Sequence, residues 1–256
     1  MDLTTPRRAI RPLLNERDAA DALAVYYAFH HPENRTTLVT YPPDAGVARG
    51  YVCLARTGID LFRPLVTMRL PKLGESGGEL DLDAGIDLIY RALLPESPVI
   101  LHIPTTYLPL IRAIFHIEQE QTLRLFRLDR RRFQPLINIF VTQANSPDGL
   151  PRFIIRNPPG DPQGEIAASA SLNWQSPNFA DIAVRTHPNY RRQGYGRSVV
   201  ASLVEQLLRQ GRTPLYSVDA QNAASIELAQ SVGFVDTLAR TVILEGHLKP
   251  HPHASQ

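Results

Sequence analysis

Cysteine is nearly missing from this chain: Cys53 is the single one among 256 residues. An intrachain disulfide and a cysteine-rich zinc site are therefore excluded, because each needs at least two thiolates. Cys53 lies in the apolar run YVCLA and reads as a small buried side chain. Long hydrophobic runs are also absent. Nothing approaches the roughly 20 apolar residues of a membrane span. The opening MDLTTPRRAI is basic without the apolar stretch of a secretory signal, so no membrane association and a cytoplasmic location are the expectation. Charge of one sign is lacking too. A net charge of +2 gives too weak a field to argue for nucleic acid. Low-complexity tracts are absent. The histidines His247, His251 and His253 have no carboxylate beside them in sequence, so no metal site is expected.

What is present is a regular alternation of elements, punctuated by proline and glycine at PPD (42–44), PKLGESGG (71–78) and NPPGDPQG (157–164). Helical period fits Glu16 to His30, and RTTLVTY, GYVCLAR and PLVTMRL read as strands. A helix near Leu82 to Leu94, strand PVILHIP, a helix from Tyr107 to Phe115 and a strand around TLRLFRL follow. After a connecting stretch from Arg130 to Leu150 come strands PRFIIRN, EIAASASLNW and FADIAVRT. Next is an amphipathic helix with Val199, Val200, Leu203, Val204, Leu207 and Leu208 on one face, closed by Gly211. Strand PLYSVDA, a helix from Asn222 to Val232 and strands near Phe234 and TVILEG complete the chain. Both halves read β, β, β, α, β, α, β. This predicts an α/β protein built as a tandem of mixed sheets flanked by helices, with units at 1–130 and 131–246 and a flexible tail at 247–256.

One stretch carries chemistry. Gly194-Tyr195-Gly196 lies between a strand and an amphipathic helix, with Arg191, Arg192 and Arg197 around it. The first turn of a helix holds N–H groups without intrahelical partners at the positive end of the dipole, which suits a diphosphate. Glycine lets that backbone approach closely. Val199 stands where a dinucleotide fingerprint needs a third small residue, and the Gly-Lys-Ser or Gly-Lys-Thr of an ATP loop is missing. An ordinary strand-to-helix turn remains the competing reading of the glycines.

The whole stretch AVRTHPNYRRQGYGRS resembles the cofactor loop of the GNAT superfamily of N-acyltransferases, R/Q-x-x-G-x-G/A, with Arg191, Gly194 and Gly196 in the motif positions. QNAASIELAQSVGF is similar to that family's second signature through Asn222, Ser225, Leu228, Gly233 and Phe234. The resemblance runs from about Pro151 to Gly246. It implies a tandem GNAT-like fold whose N-terminal half is a degenerate copy, without a glycine loop at IPTTYLPL. It implies an N-acetyltransferase that passes an acyl group from acetyl-CoA to an amine of a small molecule or peptide by direct attack. The residues it points to for the CoA thioester are Ile182, Ala183, Val184, Arg191, Arg192, Gln193, Gly194, Tyr195, Gly196, Arg197, Ser198, Asn222 and Ser225. Many relatives carry a tyrosine seven residues after the asparagine as general acid, and here Ala229 stands there. Ser225, one turn earlier, becomes the candidate to stabilise the thiolate. Asp181, Glu165, Asp219, His187 and Tyr216 are on hand near the expected cleft, with no general base singled out. Ala229 also keeps open a catalytically weak acyl-CoA-binding regulatory module. The sequence leaves the acceptor, the acyl length and a homo-oligomer undetermined.

Overall fold

A computed structural model describes residues 2–58, 60–74, 78–146 and 149–251. The chain divides into two compact units: Met1–Leu123 with Arg240–Gln256, and Arg124–Ala239. No helix among the described residues is long and apolar enough to cross a membrane.

In the first unit, helices α1 (Thr4–Ile10) and α2 (Ala22–Val25) precede strands β1 (Thr36–Tyr41), β2 (Gly50–Ala55) and β3 (Leu65–Arg69). Helix α3 (Leu82–Ala92), strand β4 (Pro98–Pro104), helix α4 (Leu108–Ile114) and the first part of β5 (Phe115–Leu128) follow. β1, β2 and β3 are antiparallel, whereas β3 and β4 run parallel with α3 as the crossover. The unit is completed from the far end of the chain. Thr241 to His247 of β11 (Phe234–Leu248) pair antiparallel with Pro104 to Pro98. The sequence reading had placed residues 240–246 with the second half and His247 in a tail. Alternation along TVILEGHL instead extends the strand through Leu248, and Val242, Leu244 and Leu248 enter this unit's core. Residues 252–256 of the expected tail lie outside the described residues.

Two layers of side chains cover this sheet. Leu88, Ile89, Ile103 and Ile111 pack from α3, β4 and α4, while Ile10, Val25, Tyr27 and Tyr51 form a second cluster with the N-terminal helices. Cys53 belongs to the latter, fully buried, and burial pushes its thiol up to about 12. Helix α1 was not expected from MDLTTPRRAI. The expected helix from Glu16 is shorter, with α2 continuing as a π-helical turn over Tyr26–His30.

In the second unit, β6 (Thr142–Asn145), β7 (Pro151–Asn157), β8 (Glu165–Gln175) and β9 (Phe179–Thr186) form an antiparallel meander. Helix α5 (Tyr195–Arg209) then leads to β10 (Thr213–Asp219), parallel to β9, and helix α6 (Ala223–Val232) leads to β11. The second part of β5 lies beside β10. Val199, Val200, Leu203, Val204 and Leu207 of α5 are wholly buried against the sheet, as the heptad-like spacing predicts. The helix ends where expected: Gly211 has φ +76° and Arg212 N–H reaches back to Leu207 O. The observed architecture is thus mixed α/β, with sheets flanked by helices in both units.

Candidate functional site

The parallel ladder between β9 and β10 is short. It pairs Phe179 with Thr213, Ala180 with Pro214 and Asp181 with Leu215, and goes no further. Beyond that point Ile182–Thr186 of β9 keep their partners on β8 only. The strands therefore part, and an edge of β9 is left with unpaired backbone groups. Three features gather around this fork.

The first is the N-terminus of α5. Gly194 caps it in the left-handed region, φ +76°, where L side chains are strained, and Arg192 shares that region at φ +64°. The first intrahelical bond is Ser198 N–H to Gly194 O, so the N–H groups of Tyr195, Gly196 and Arg197 precede it. No acidic residue stands in the first turn and no side chain caps it. A Cβ on Gly196 would lie 3.0 Å from Thr186 Oγ1 and 3.4 Å from a Leu228 methyl, so this glycine holds helix, strand and α6 close together. The two glycines have distinct geometric duties, and both leave the helix end open.

The second is a cleft of about 570 Å³ lined by Val184, Arg191, Arg192, Gly194, Tyr195, Gly196, Arg197, Asn222 and Ser225, among others. The structure thus gathers most of the residues named from the sequence. Four of that group stand elsewhere. Ile182 is buried in the core beneath α5, Ala183 faces the opposite side of the sheet, and Gln193 is exposed outside the cleft. Ser198 turns inward, donating to Gly194 O and accepting from Asn138 Nδ2 at 3.1 Å. Strand alternation separates Ile182 from Ala183, and helix periodicity turns Ser198 toward the core. Asn222 caps α6: its Oδ1 accepts from Ser225 N–H at 3.1 Å.

The third feature is a set of polar groups at the fork. Asp181 is 3 % exposed. Its Oδ1 accepts from the N–H and hydroxyl of Ser217, and its Oδ2 accepts from Asn173 Nδ2 at 2.8 Å. The carboxylate takes the place of the next ladder acceptor and bridges the parting strands. Burial raises its pKa to about 6, against the opposing pull of the Asn173 and Ser217 hydrogen bonds. Tyr216, the next residue of β10, points to the helical face, where its hydroxyl lies 2.8 Å from Ser225 Oγ. Burial raises the Tyr216 phenol as well. Ala229 is fully buried beside this pair in the same core cluster.

The remaining candidates fall away from the fork. Glu165 and His187 lie 3.4 Å apart, and Tyr190 donates to Glu165, a surface group that ties the loop to β8. Asp219 caps the turn into α6 through Gln221 N–H. Arg124, at the start of this unit, pairs with Asp236 at 2.6 Å, and Arg132 with Asp129. Among the described residues no group of three or more His, Cys, Asp or Glu is gathered to hold a metal ion. Sequence reasoning had Asp181 and Tyr216 in view without ranking them. What ranks them is the end of the β9–β10 ladder, a non-local pairing with no local signal.

With this geometry in place, comparison with known proteins is informative. Residues 161–241 match the model of the GNAT acetyltransferase family. Over 78 residues the chain is 38 % identical to the ribosomal protein bS18-alanine N-acetyltransferase of Escherichia coli K12, covering 30 % of this chain and 53 % of that protein. The Shigella flexneri protein of the same description matches equally. The chain spans about half the length of the curated relatives it matches. A tandem GNAT protein from the clavulanic acid biosynthesis pathway superposes with a TM-score of 0.60 over 97 % of this chain and 95 % of its own, at 14 % identity. A GCN5-related N-acetyltransferase from Sphaerobacter thermophilus gives 0.58 over 96 % and 91 %, at 12 % identity. At such identities these structures speak to the fold, which is that of a tandem GNAT protein.

Proposed function

We propose that the second unit binds an acyl-CoA, acetyl-CoA foremost, and transfers its acyl group to an amine by direct attack. The observation that carries this reading is the forked sheet: one opening brings an uncapped helix N-terminus, an unpaired strand edge and two sets of polar groups to a common point. The N–H groups of Tyr195, Gly196 and Arg197, with Arg191, Arg192 and Arg197 beside them, suit the CoA diphosphate. Hydrogen bonds to a charged group are worth about 1.5–3 kcal/mol each, so three of them supply most of a micromolar affinity. The free edge of Ile182–Thr186 suits the two pantetheine amides, which add to it as a strand would.

The chemistry then divides between the faces of the sheet. The acceptor ammonium gives one proton to Asp181, and its nitrogen attacks the thioester carbonyl carbon. The C–S bond breaks as the C–N bond is made, and the thiolate takes a proton from Ser225, renewed from Tyr216. The second nitrogen proton reaches the tyrosinate through solvent and restores it, and Asp181 gives up the first to solvent, for a net release of one proton. Raising Asp181 from 3.8 to about 6 reduces the uphill proton transfer by about 3 kcal/mol. An α-amine, with an ordinary pKa near 8, stands about two units above this base, and a lysine-type amine about four. The α-amine is the easier acceptor on that ground. The bS18-alanine N-acetyltransferase, by its name, acts on an alanine.

The alternative, a catalytically weak acyl-CoA-binding module, draws on Ala229. The Tyr216–Ser225 pair answers it, because Ser225 of α6 brings a hydroxyl to the cleft and the buried Tyr216 phenol of β10 backs it at 2.8 Å. We read the first unit as a degenerate copy and the location as cytoplasmic. The direct test is calorimetric titration with acetyl-CoA of the wild type and of Arg197→Glu, an exposed position where charge changes without disturbing packing. Micromolar binding weakened at least tenfold in the variant is expected. Failure of the wild type to bind overturns the proposal.

A further inference from the structure

The face of the second unit's sheet opposite α5 carries a second constellation. Register places Ser169 opposite Arg185 and Ile154, and Ser171 opposite Ala183. Alternation puts Arg152, two residues before Ile154, and Asp181, two before Ala183, on the same face. Two adjoining hollows of about 430 and 340 Å³ open there, and both are lined by Arg152, Ser169 and Arg185. The first also reaches Thr186 and Arg191 of the CoA cleft.

These side chains are not satisfied within the protein. Among the described residues, neither Arg152 nor Arg185 makes an ion pair or hydrogen bond, although Arg63, Arg69, Arg112 and Arg124 all have carboxylate partners. Glu165, which meets His187 at the first hollow, also accepts from Tyr190, and Asp181 is taken up by Ser217 and Asn173. Ser169 is 7 % exposed, and among the described residues its hydroxyl has no hydrogen-bond partner. Two guanidinium groups without a carboxylate, half-buried Arg152 and exposed Arg185, share these hollows with a serine hydroxyl, an array of hydrogen-bond donors that lacks its acceptor. The ligand that completes it is an anion.

Resting on the acyltransferase reading above, we infer that the acceptor amine carries an anionic group, a carboxylate or phosphate, held by Arg152, Arg185 and Ser169. Asp181 and Arg185 are four residues apart on one face, about 13 Å between Cα atoms at the rise of a strand. The reach of the arginine brings the anion nearer, so amine and anion are separated by several bonds. Arginine selects such a group by its planar pair of N–H donors.

The test uses two series of acceptors of graded chain length: α,ω-aminocarboxylates beside their amides, and aminoalkyl phosphates beside the amino alcohols. Thiol release from acetyl-CoA is measured with the wild type and with Arg152→Ala/Arg185→Ala, alongside calorimetry of acetyl-CoA binding. In at least one series the anionic member should exceed its neutral partner tenfold or more in kcat/KM, through KM. The double variant should abolish that preference with acetyl-CoA affinity unchanged. The series that responds tells carboxylate from phosphate. Equal turnover of anionic and neutral members, turnover of no anionic member, or a preference that survives in the variant overturns the anionic acceptor while acetyl-CoA binding stands. Loss of acetyl-CoA binding in the wild type overturns the acyltransferase reading itself.

Discussion

The parallel-strand forks of the two units are built alike and finished in opposite ways. In the second unit the β9–β10 ladder ends at Asp181 and Leu215, and in the first the β3–β4 ladder ends at Val66 and Leu101. The last pairs point opposite ways: Val66 and Leu101 enter the core beneath α3 and α4, so no polar group stands at the end of that ladder, whereas Asp181 faces away from α5 and bonds to Ser217. The helix that follows differs in the same sense. Asp81 caps α3, its carboxylate accepting from Ala84 N–H, and Asp83 adds a second acid to the first turn. Beyond the first unit's fork, Leu70 N–H is taken by the Tyr107 hydroxyl. A helix end that supplies its own anion gains stability and has no use for another. On the proposed reading, the phosphate site of the second unit is made as much by withholding a cap as by adding arginines. The turn of the first unit that corresponds to the glycine loop is accordingly not IPTTYLPL after β4 but the one after β3, containing PKLGESGG, of which residues 75–77 lie outside the described residues.

This contrast can be broken most sharply at the base. Asp181→Asn should lower kcat by about 100- to 10,000-fold, the usual range for lost general-base assistance. Tyr216→Phe should cost less, because Ser225 remains to donate. The same Asp181→Asn change should not lower the melting temperature at pH 8. A carboxylate whose folded pKa is raised contributes stability that is fully present below 3.8 and lost as pH rises through about 6. Above that range the amide removes a burial cost of about 3 kcal/mol. Thermal melts paired with thiol-release kinetics check both halves, and a variant that loses stability and activity together speaks against the assignment. Wild-type kcat/KM should fall as pH drops through 6.

A smaller effect sharpens the helix comparison. Asp81→Ala should destabilise the protein by about 1 kcal/mol, as loss of an N-cap does, and leave acetyl-CoA affinity untouched. Denaturant melts and calorimetry on that variant would expose any hidden ligand role of the first unit. The smallest effect concerns His102, half-buried with its Nε2 2.8 Å from Thr241 Oγ1 and held down to about 4 by loss of hydration. A histidine with a depressed folded pKa gives stability that is present above 6.5 and lost as pH falls through about 4. Hydrogen-exchange protection of β4, corrected for intrinsic rates, should therefore decline across that window. His102→Gln should flatten the decline. Between pH 4 and 6 the two forks respond in opposite directions.

How much of this the sequence revealed follows the range of the interactions concerned. Helix α5, its Gly211 terminus and the strands PVILHIP and FADIAVRT were legible because each rests on neighbours within a few residues. The alternation over TLRLFRL was recognised, but β5 begins seven residues earlier at Phe115, where HIEQEQ gives no apolar rhythm. Strand β6 was read as connection for the same reason: TQAN is polar, and only its pairing with β7 makes it a strand. Neither the parting of β9 from β10 nor the meeting of Arg152, Ser169 and Arg185 has a local signature. Both arise from register between strands far apart in sequence.

The strand that completes the first unit's sheet has a consequence in time as well as space. His102 and Thr241, which meet across that strand pair, are 139 residues apart. Contacts so remote slow folding, because the intervening chain must be ordered before they give any return. During synthesis, the first unit waits with β4 as an open edge, apolar at Val99, Leu101 and Ile103, until residues 240–248 emerge from the ribosome. The second unit, whose own residues have by then all been made, is positioned to fold first and deliver the missing strand. Such an exposed edge invites pairing with other chains, so the nascent protein is most vulnerable to aggregation in the interval before its last strand appears.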